Sequence, residues 1–355
     1  MAEKKKKRHW LSRLSFGSVS LFMSALLLLS YVSVIVDPAK AWFFTLFGLL
    51  YPVVFPIVLV LFVWSLFRRS HMRPLLAIAL LPSLFFVGRY YQLDRPSDLP
   101  DPTLKVVSYN VGLFAHSSSD TPRMVLADSV VNYLRGLDAD VICLQEFWLP
   151  LSEQPEAWLR KHFPGYNAEY YVFTGQKGRF GNVTLSRLGF AGKGKESFEK
   201  STNLAIYTDV QLDSSVLRLY NCHFESYNIS LPALVKNDDG IVEETERKMS
   251  RAISERPKQV ARVLKAAENS VVLGDFNDTP LSYTYIRLIH GRHDAFTAAG
   301  KGWGATHRSL WPFLRIDYIL YPSQLQATSC IIDKARYSDH YPVITSFYET
   351  GRNTR

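Results

Sequence analysis

Residues 270–278 read SVVLGDFND. Residues 270–273 form a short β-branched run that fits a buried strand, and the run stops abruptly at Gly274-Asp275-Phe276-Asn277. Successive strand side chains point to opposite faces, so Asp275 and Asn277, at i and i+2, leave the strand end in one direction. The same pair also suits a turn in which Asp and Asn side chains bond their own backbone.

The pattern recurs on both sides of this stretch. Asn110 ends a strand-like run at 104–109, Glu146 follows one at 140–144, and His223 ends one at 216–222. Asp317 stands at the start of a run at 316–320, while Asp339 and His340 precede one at 341–347. Taken singly, Glu146 reads as a helix cap, Asp317 as a solvated strand end and His223 as a satisfied buried histidine. Further runs at 182–186 and 204–208 read as strands. Residues 123–137 carry Val125, Leu126, Val130 and Leu134 at helical spacing, and 243–268 read as a charged amphipathic helix with a break expected at Pro257. Alternating strands and helices predict an α/β or α+β domain, a two-layered sheet core with helices outside.

Together the strand ends supply Glu146, Asp275, Asp317, Asp339, Asn110, Asn277, His223 and His340, with no motif-bearing Ser or Cys nucleophile. No Gly-x-Ser-x-Gly elbow and no Walker loop occurs. Oxygen-rich donors without thiolate suit a hard divalent ion, Mg²⁺ or Mn²⁺, and point to metal-assisted attack of water on a phosphate ester.

The ordered segments VVSYN (106–110), CLQEF (143–147), NCHFES (221–226), LGDFND (273–278), RIDYIL (315–320) and YSDHYP (337–342) resemble the endonuclease/exonuclease/phosphatase superfamily. That group includes DNase I, abasic-site endonucleases, sphingomyelinases and inositol-polyphosphate 5-phosphatases, and the resemblance covers about 104–347, as in a membrane-anchored, bacterial-type member. It implies a four-layered sandwich of two packed mixed β-sheets flanked by helices, with a metal-dependent phosphoesterase site at one end. By position it implies that Glu146 is the metal carboxylate, that Asn110 supports the metal shell, and that Asp339 lies near the metal. Asp275 would orient or deprotonate the attacking water, Asn277 would hold the scissile phosphate, and His223 and His340 would flank that phosphate. Asp317 would orient His340, and either His340 or Asp275 could be the base. Gly181, Asn182, Leu185, Ser186 and Arg187 match a family segment whose role reads as structural. No inositol-phosphatase motif or abasic-site wedge is evident. His290-Gly291-Arg292-His293-Asp294 falls outside the matched set and reads as a solvated loop. Trp303, His307, Trp311 and Phe313 read as a substrate-facing or membrane-facing loop, or equally as a patch over the core.

The first hundred residues differ in kind. They hold 12 Lys/Arg against 4 Asp/Glu, whereas 101–355 hold 29 against 28. Of the net charge of +9, +8 therefore resides in the N-terminal part, and the remainder, at +1, has no net field to coat a polyanion. Uncharged runs occupy 14–36, 41–67 and 74–88, of 23, 27 and 15 residues. At about 1.5 Å per residue the first two cover a hydrocarbon core of roughly 30 Å. The third, extended to 74–91, must seat Arg89, Tyr90 and Tyr91 at the interface or lie as a re-entrant segment. Lys4 to Arg8 and Arg13 precede the first run and Arg68, Arg69 and Arg73 follow the second, which places both clusters in the cytoplasm. Three spans then put 101–355 outside a cytoplasmic (inner) membrane, and two put them inside. Ala39-Lys40-Ala41 also mimics a signal-peptidase site.

A linker rich in Asp and Pro at 93–102 sets the expected boundary near residue 101, between a membrane region (1–100) and a catalytic domain (101–355). Cys143, Cys222 and Cys330 show no disulfide or zinc spacing and read as small buried hydrophobes. The reading as a whole is an anchored, divalent-metal-dependent phosphodiesterase or phosphatase acting on lipid head groups or nucleotides. The alternatives are a metal-dependent nuclease on DNA or RNA and a non-catalytic anchored interaction domain. The partners implied are the phosphate-ester substrate and the lipid bilayer, with no dedicated protein partner.

Overall fold

The apolar runs become the interior strands of two six-stranded sheets in the computed structural model, which describes residues 2–94, 100–115, 121–199, 201–213, 215–226, 239–308 and 312–350. One sheet contains β2 (Leu104–Asn110), β3 (Val141–Leu149), β4 (Asn167–Gly175), β5 (Gly178–Ser186), β13 (Leu325–Ile332) and β14 (Val343–Glu349) in the order β13-β14-β2-β3-β5-β4. The other contains β6 (Phe190–Ser197), β7 (Leu204–Gln211), β8 (Val216–His223), β9 (Val271–Asp275), β10 (His293–Asp294) and β12 (Asp317–Tyr321) in the order β10-β12-β9-β8-β7-β6. Each is mixed: β2 and β3 are parallel in one, β8 and β9 in the other, and the remaining pairs are antiparallel. Parallel neighbours require a crossover. The helices Arg123–Gly136 and Asp239–Leu264 lie within those crossovers.

Three apolar layers explain the four-layered stacking. Val106, Val141 and Cys143 meet Leu219, Val271, Leu273 and Ile319 between the sheets. Val107, Tyr109 and Ile142 pack under Val130 and Leu134 of the first crossover helix, and Tyr220, Val272 and Leu320 pack under Val260 and Val263 of the second. Burying each such side chain contributes roughly 1.5–3 kcal/mol, so the crossover helices are held mainly by these faces. The helix Asp239–Leu264 runs through Pro257 without ending, contrary to the expected break. Ile253 and Val260 are buried on either side of the proline, and Val260 packs with the sheet residues beneath the helix.

In the N-terminal part, α1 (Ala2–Val32) and α2 (Phe44–Phe67) are long and apolar enough to cross a membrane. Their candidate spans have mean hydropathies of 1.7 and 2.7, yet only 22% and 28% of them are buried, which is unlike a helix at the centre of a soluble core. The third run is not one spanning helix. It forms α3 (Arg73–Leu80) and then 3-10 turns at Leu81–Phe85 and Val87–Arg89. Pro82 lies just beyond α3, where it cannot supply an α-helical N–H, and this explains the change of winding. The segment nevertheless returns alongside α1, where the Tyr31 hydroxyl donates to Ala79 O at 3.0 Å and lies 2.6 Å from Ser83 Oγ.

The two parts of the chain interlock. Ser33 Oγ donates to Leu281 O at 2.7 Å, Arg89 Nη1 to Pro280 O at 3.0 Å, and Arg315 Nη1 to Arg89 O at 2.8 Å. A Cβ at Gly48 would collide with the Leu281 carbonyl, so glycine lets α2 approach the loop that follows the GDFND segment. β1 (Tyr91–Gln92) pairs antiparallel with β11 (Gly302–Trp303).

Candidate active site

The sheet geometry gathers the polar strand ends at one edge. In one sheet Asp275, the last residue of β9, is paired in register with His223 of β8 on one side and Asp317 of β12 on the other. From the facing sheet, Asn110 at the end of β2 donates through Nδ2 to Asp275 Oδ2 at 2.9 Å and to Glu146 Oε1 at 3.2 Å. One amide nitrogen thus joins two carboxylates across the sandwich. Its Oδ1 accepts from Gly112 N at 3.0 Å, which fixes the amide's orientation.

Glu146 reaches this position through a bulge. The β3–β5 register shifts between Leu144 and Phe147, and Glu146 has φ 50°, a left-handed conformation uncommon for a non-glycine residue. Asn277 is also left-handed, at φ 52°, and its backbone N–H donates to Asp275 Oδ1 at 2.8 Å. Asn277 Nδ2 gives one bond to Phe224 O at 2.9 Å, leaving its second N–H for another acceptor. Gly274, at φ 125°, has no alternative, because a Cβ there would strike the Cys222 carbonyl of the neighbouring strand.

His340 Nδ1 lies 2.9 Å from Asp317 Oδ2, and its Nε2 faces Asp275 Oδ2 at 3.8 Å. Burial disfavours a charge on this ring, but Asp317 and then Asp275 outweigh it and push the pKa up to about 10. Asp317 is buried and pushed upward by desolvation, against the pull of His340. Asp339 is held well below the usual carboxylate range: burial opposes its charge, and the His307 contact and His340 overcome that. Exposure grades outward, from 1% for the Asp275 side chain and 8% for His340 to 31% for Glu146 and 60% for Asp339. Solvent therefore reaches the site from the Glu146 and Asp339 side.

His223 Nε2 sits 3.6 Å from Glu146 Oε1 and 3.8 Å from Asp275 Oδ2, too far for a hydrogen bond, and it has no hydrogen-bond partner among the described residues. A buried ring nitrogen left open against two carboxylates is a place for a cation or for a group that the ring can bond. Ligand atoms of Glu146, His223 and Asp275 lie within 4.8 Å of one another, as do those of His307, Asp339 and His340. Two carboxylates arranged around one amide favour a hard divalent cation, so the donor set fits such an ion.

All eight residues expected at the site meet at this edge. His307, which the sequence suggested only as part of a substrate- or membrane-facing loop, belongs with them: its Nε2 is 3.6 Å from Asp339 Oδ2, and its ring meets that of His340 edge-on at 4.7 Å. The bridge between His307 and His340 was not visible locally, since 32 residues separate them. Gln145 was also missed. It donates to Asn221 Oδ1 at 2.7 Å beneath the site, and Asn221 in turn bonds Leu144 O and Val183 O. Asn182 Nδ2 donates to Asn221 O at 3.1 Å, so the segment containing it supports the site from below.

The segment His290–Asp294 is not simply a solvated loop. Asp294 is buried and holds Arg315 in a two-pronged ion pair of 2.5 and 2.7 Å, with Tyr285 Oη donating to it at 2.7 Å. Trp303 and Phe313 face α2, while Trp311 lies outside the described residues.

The sequence family described as "Endonuclease/Exonuclease/phosphatase family" matches residues 107–340, and "Domain of unknown function (DUF8431)" matches 12–90. Among curated proteins none matches. Solved structures share the fold at low identity. An endonuclease/exonuclease/phosphatase from Beutenbergia cavernae is 16% identical with TM-score 0.54, covering 71% of this chain and 72% of its own. The human Nocturnin catalytic domain with bound sulfate anion is 16% identical with TM-score 0.54, covering 72% and 97%. An endonuclease/exonuclease/phosphatase from Bacteroides vulgatus is 16% identical with TM-score 0.51, covering 69% and 98%.

Proposed function

This chain belongs to the Endonuclease/Exonuclease/phosphatase family, hydrolases of ester bonds, and on that footing we propose that it is a membrane-anchored, divalent-metal-dependent phosphoesterase. The observation that carries the proposal is the convergence of Asn110, Glu146, His223, Asp275, Asn277, Asp317, Asp339 and His340 at one edge of the sandwich.

Glu146 and Asp339 would hold Mg²⁺ or Mn²⁺ beside Asn110, and the ion would supply positive charge against the phosphoryl oxygens. Asp275 is oriented by Asn110 Nδ2 and Asn277 N, so its carboxylate is set to position and deprotonate the attacking water. His340, clamped through Nδ1 by Asp317, presents a charged Nε2–H to the phosphate or its leaving oxygen. His223 Nε2 and the second N–H of Asn277 complete the cradle for phosphate oxygens. Phosphodiester and phosphomonoester cleavage both fit these roles.

Anchoring would use α1, α2 and the returning third segment. The basic residues Lys4 to Arg8 and Arg68 to Arg73 stand at the helix ends away from the catalytic domain, because Ser33, Gly48 and Tyr90 at the opposite ends touch it. With basic ends in the cytoplasm, the catalytic domain would lie outside.

The test uses the full chain in nanodiscs with a panel of phosphodiesters and phosphomonoesters, in Mg²⁺, Mn²⁺ or EDTA, beside Asp275→Ala and His340→Ala. Turnover is expected only with metal and only in the parent chain. Turnover that survives EDTA and both substitutions overturns the assignment. Protease protection of Arg355 in sealed vesicles reads the orientation separately.

A further inference from the structure

A cavity of about 440 Å³ lies where α2 meets the catalytic domain. Tyr51, Phe55 and Pro56 of α2 form one wall, and Trp303, Pro312 and Phe313 form the other. Its volume falls within the roughly 300–1,000 Å³ of sites that take lipid- or drug-sized molecules. Among the described residues none that lines it is charged, and prolines on both walls lack a backbone N–H. An apolar, donor-poor lining selects hydrocarbon.

We propose that this cavity receives the hydrocarbon chain of a membrane lipid whose phosphoester head is the substrate, an inference that rests on the phosphoesterase reading above.

Two observations support that occupant. The first is continuity. The helix that forms one wall also exposes Val53, Ile57, Val60 and Val63 along its length, each more than 40% accessible. The exposed apolar face and the cavity wall thus belong to the same helix, so a chain entering between α2 and the Trp303 wall moves along apolar surface of α2.

The second is the link to the reacting centre. Trp303 lies four residues before His307, and Phe313 lies four before Asp317. Four residues of extended chain span at most about 14 Å. The two limbs are fastened together: Leu314 O accepts from Thr306 N at 2.9 Å and from His307 N at 3.2 Å, and Thr306 Oγ1 accepts from Ile316 N and Asp317 N, each at 3.0 Å. Both limbs therefore run from an aromatic wall of the cavity to a side chain at the site. A lipid with its tail in the cavity presents its head to the strand ends, and a tail pressing on Trp303 or Phe313 bears on the backbone that positions His307 and Asp317.

The test has two arms on the full chain. In vesicles of phosphatidylethanolamine and phosphatidylglycerol doped with a phosphatidylglycerol carrying a diazirine at its chain end, photolysis should label Phe55, Trp303 or Phe313. Labelling confined to the Val60 face of α2 overturns the proposal, since that face meets any bilayer lipid. In the second arm, p-nitrophenyl hexadecyl phosphate and p-nitrophenyl methyl phosphate are compared with Mg²⁺ present. Val87→Trp, which fills the cavity from a third side, should cut the hexadecyl-to-methyl ratio of kcat/KM by about tenfold or more. Val60→Trp should leave the ratio unchanged. An unchanged ratio in Val87→Trp overturns the lipid-chain assignment even where the methyl ester is cleaved normally. Absence of metal-dependent cleavage of every ester in the parent chain overturns the phosphoesterase reading instead. Labelling is read on the parent protein, so it does not depend on whether Val87→Trp folds.

Discussion

His340 bridges two buried carboxylates: its Nδ1 lies 2.9 Å from Asp317 Oδ2, and its Nε2 lies 3.8 Å from Asp275 Oδ2. The closer contact fixes which nitrogen faces Asp275, and both carboxylates favour the charged ring. In Asp317→Asn the amide cannot hold the imidazolium in this way. We expect kcat to fall by roughly two to four orders of magnitude while KM changes little. Steady-state kinetics on a soluble phosphoester measure this, and a loss confined to KM would contradict the orienting role.

The same ring makes stability depend on pH. Its folded pKa of about 10 lies above the ordinary value of 6.5, so its contribution is fully present below about pH 6.5 and is lost as the pH rises through 10. In metal-free buffer the melting temperature of the parent chain should therefore decline between pH 7 and pH 10. His340→Gln should melt lower at pH 7 and show a flatter alkaline limb. Parallel limbs in the two proteins would show that His340 does not carry the effect.

Asn110 holds two carboxylates with one nitrogen, at 2.9 and 3.2 Å. Asn110→Leu removes both bonds while leaving Asp275 buried. The metal-free protein should lose about 2 kcal/mol. Added Mg²⁺ should stabilise the variant by less than it stabilises the parent, because the amide beside the proposed ion is gone. Denaturant titrations with and without Mg²⁺ test this.

Gly274 allows β8 and β9 to approach. Gly274→Ala combines a φ of 125° with a collision against the Cys222 carbonyl. It should cost about 3 kcal/mol or more. The effect is visible as a fall in denaturation midpoint, whereas Gly189→Ala, where no atom crowds the added Cβ, should change little.

The Arg315–Asp294 pair is buried to within 2% on both sides. Asp294→Ala leaves a buried guanidinium without its partner and should cost about 3–5 kcal/mol. Glu156→Ala, which breaks the exposed Arg160 pair, should cost no more than about 0.5 kcal/mol. Since Arg315 also donates to Arg89 O, Asp294→Ala should make the chain between α3 and β2 more open to proteolysis.

The sequence marked the eight interior strands but none of the four edges. β4, β6, β10 and β13 are the outermost strands, and each was passed over. Half-solvated edges carry a weaker apolar signal. Phe190–Ser197 reads FAGKGKES and alternates between half-buried and exposed, while β4 is half-buried along most of its length. The residues that gather at the sandwich edge were legible because strands stop where polar side chains begin. Asp294 was not, because its partner Arg315 is 21 residues away and becomes adjacent only when β10 pairs with β12. In the third apolar run Pro82 ends α3, and the remainder winds as 3-10 turns that length and composition alone do not reveal.

Cys143, Cys222 and Cys330 are free and buried. Burial raises the Cys143 and Cys330 thiols to about 12, so they stay protonated and unreactive at physiological pH. The folded chain thus carries no disulfide to reduce and keeps its three thiols shielded from oxidants by burial.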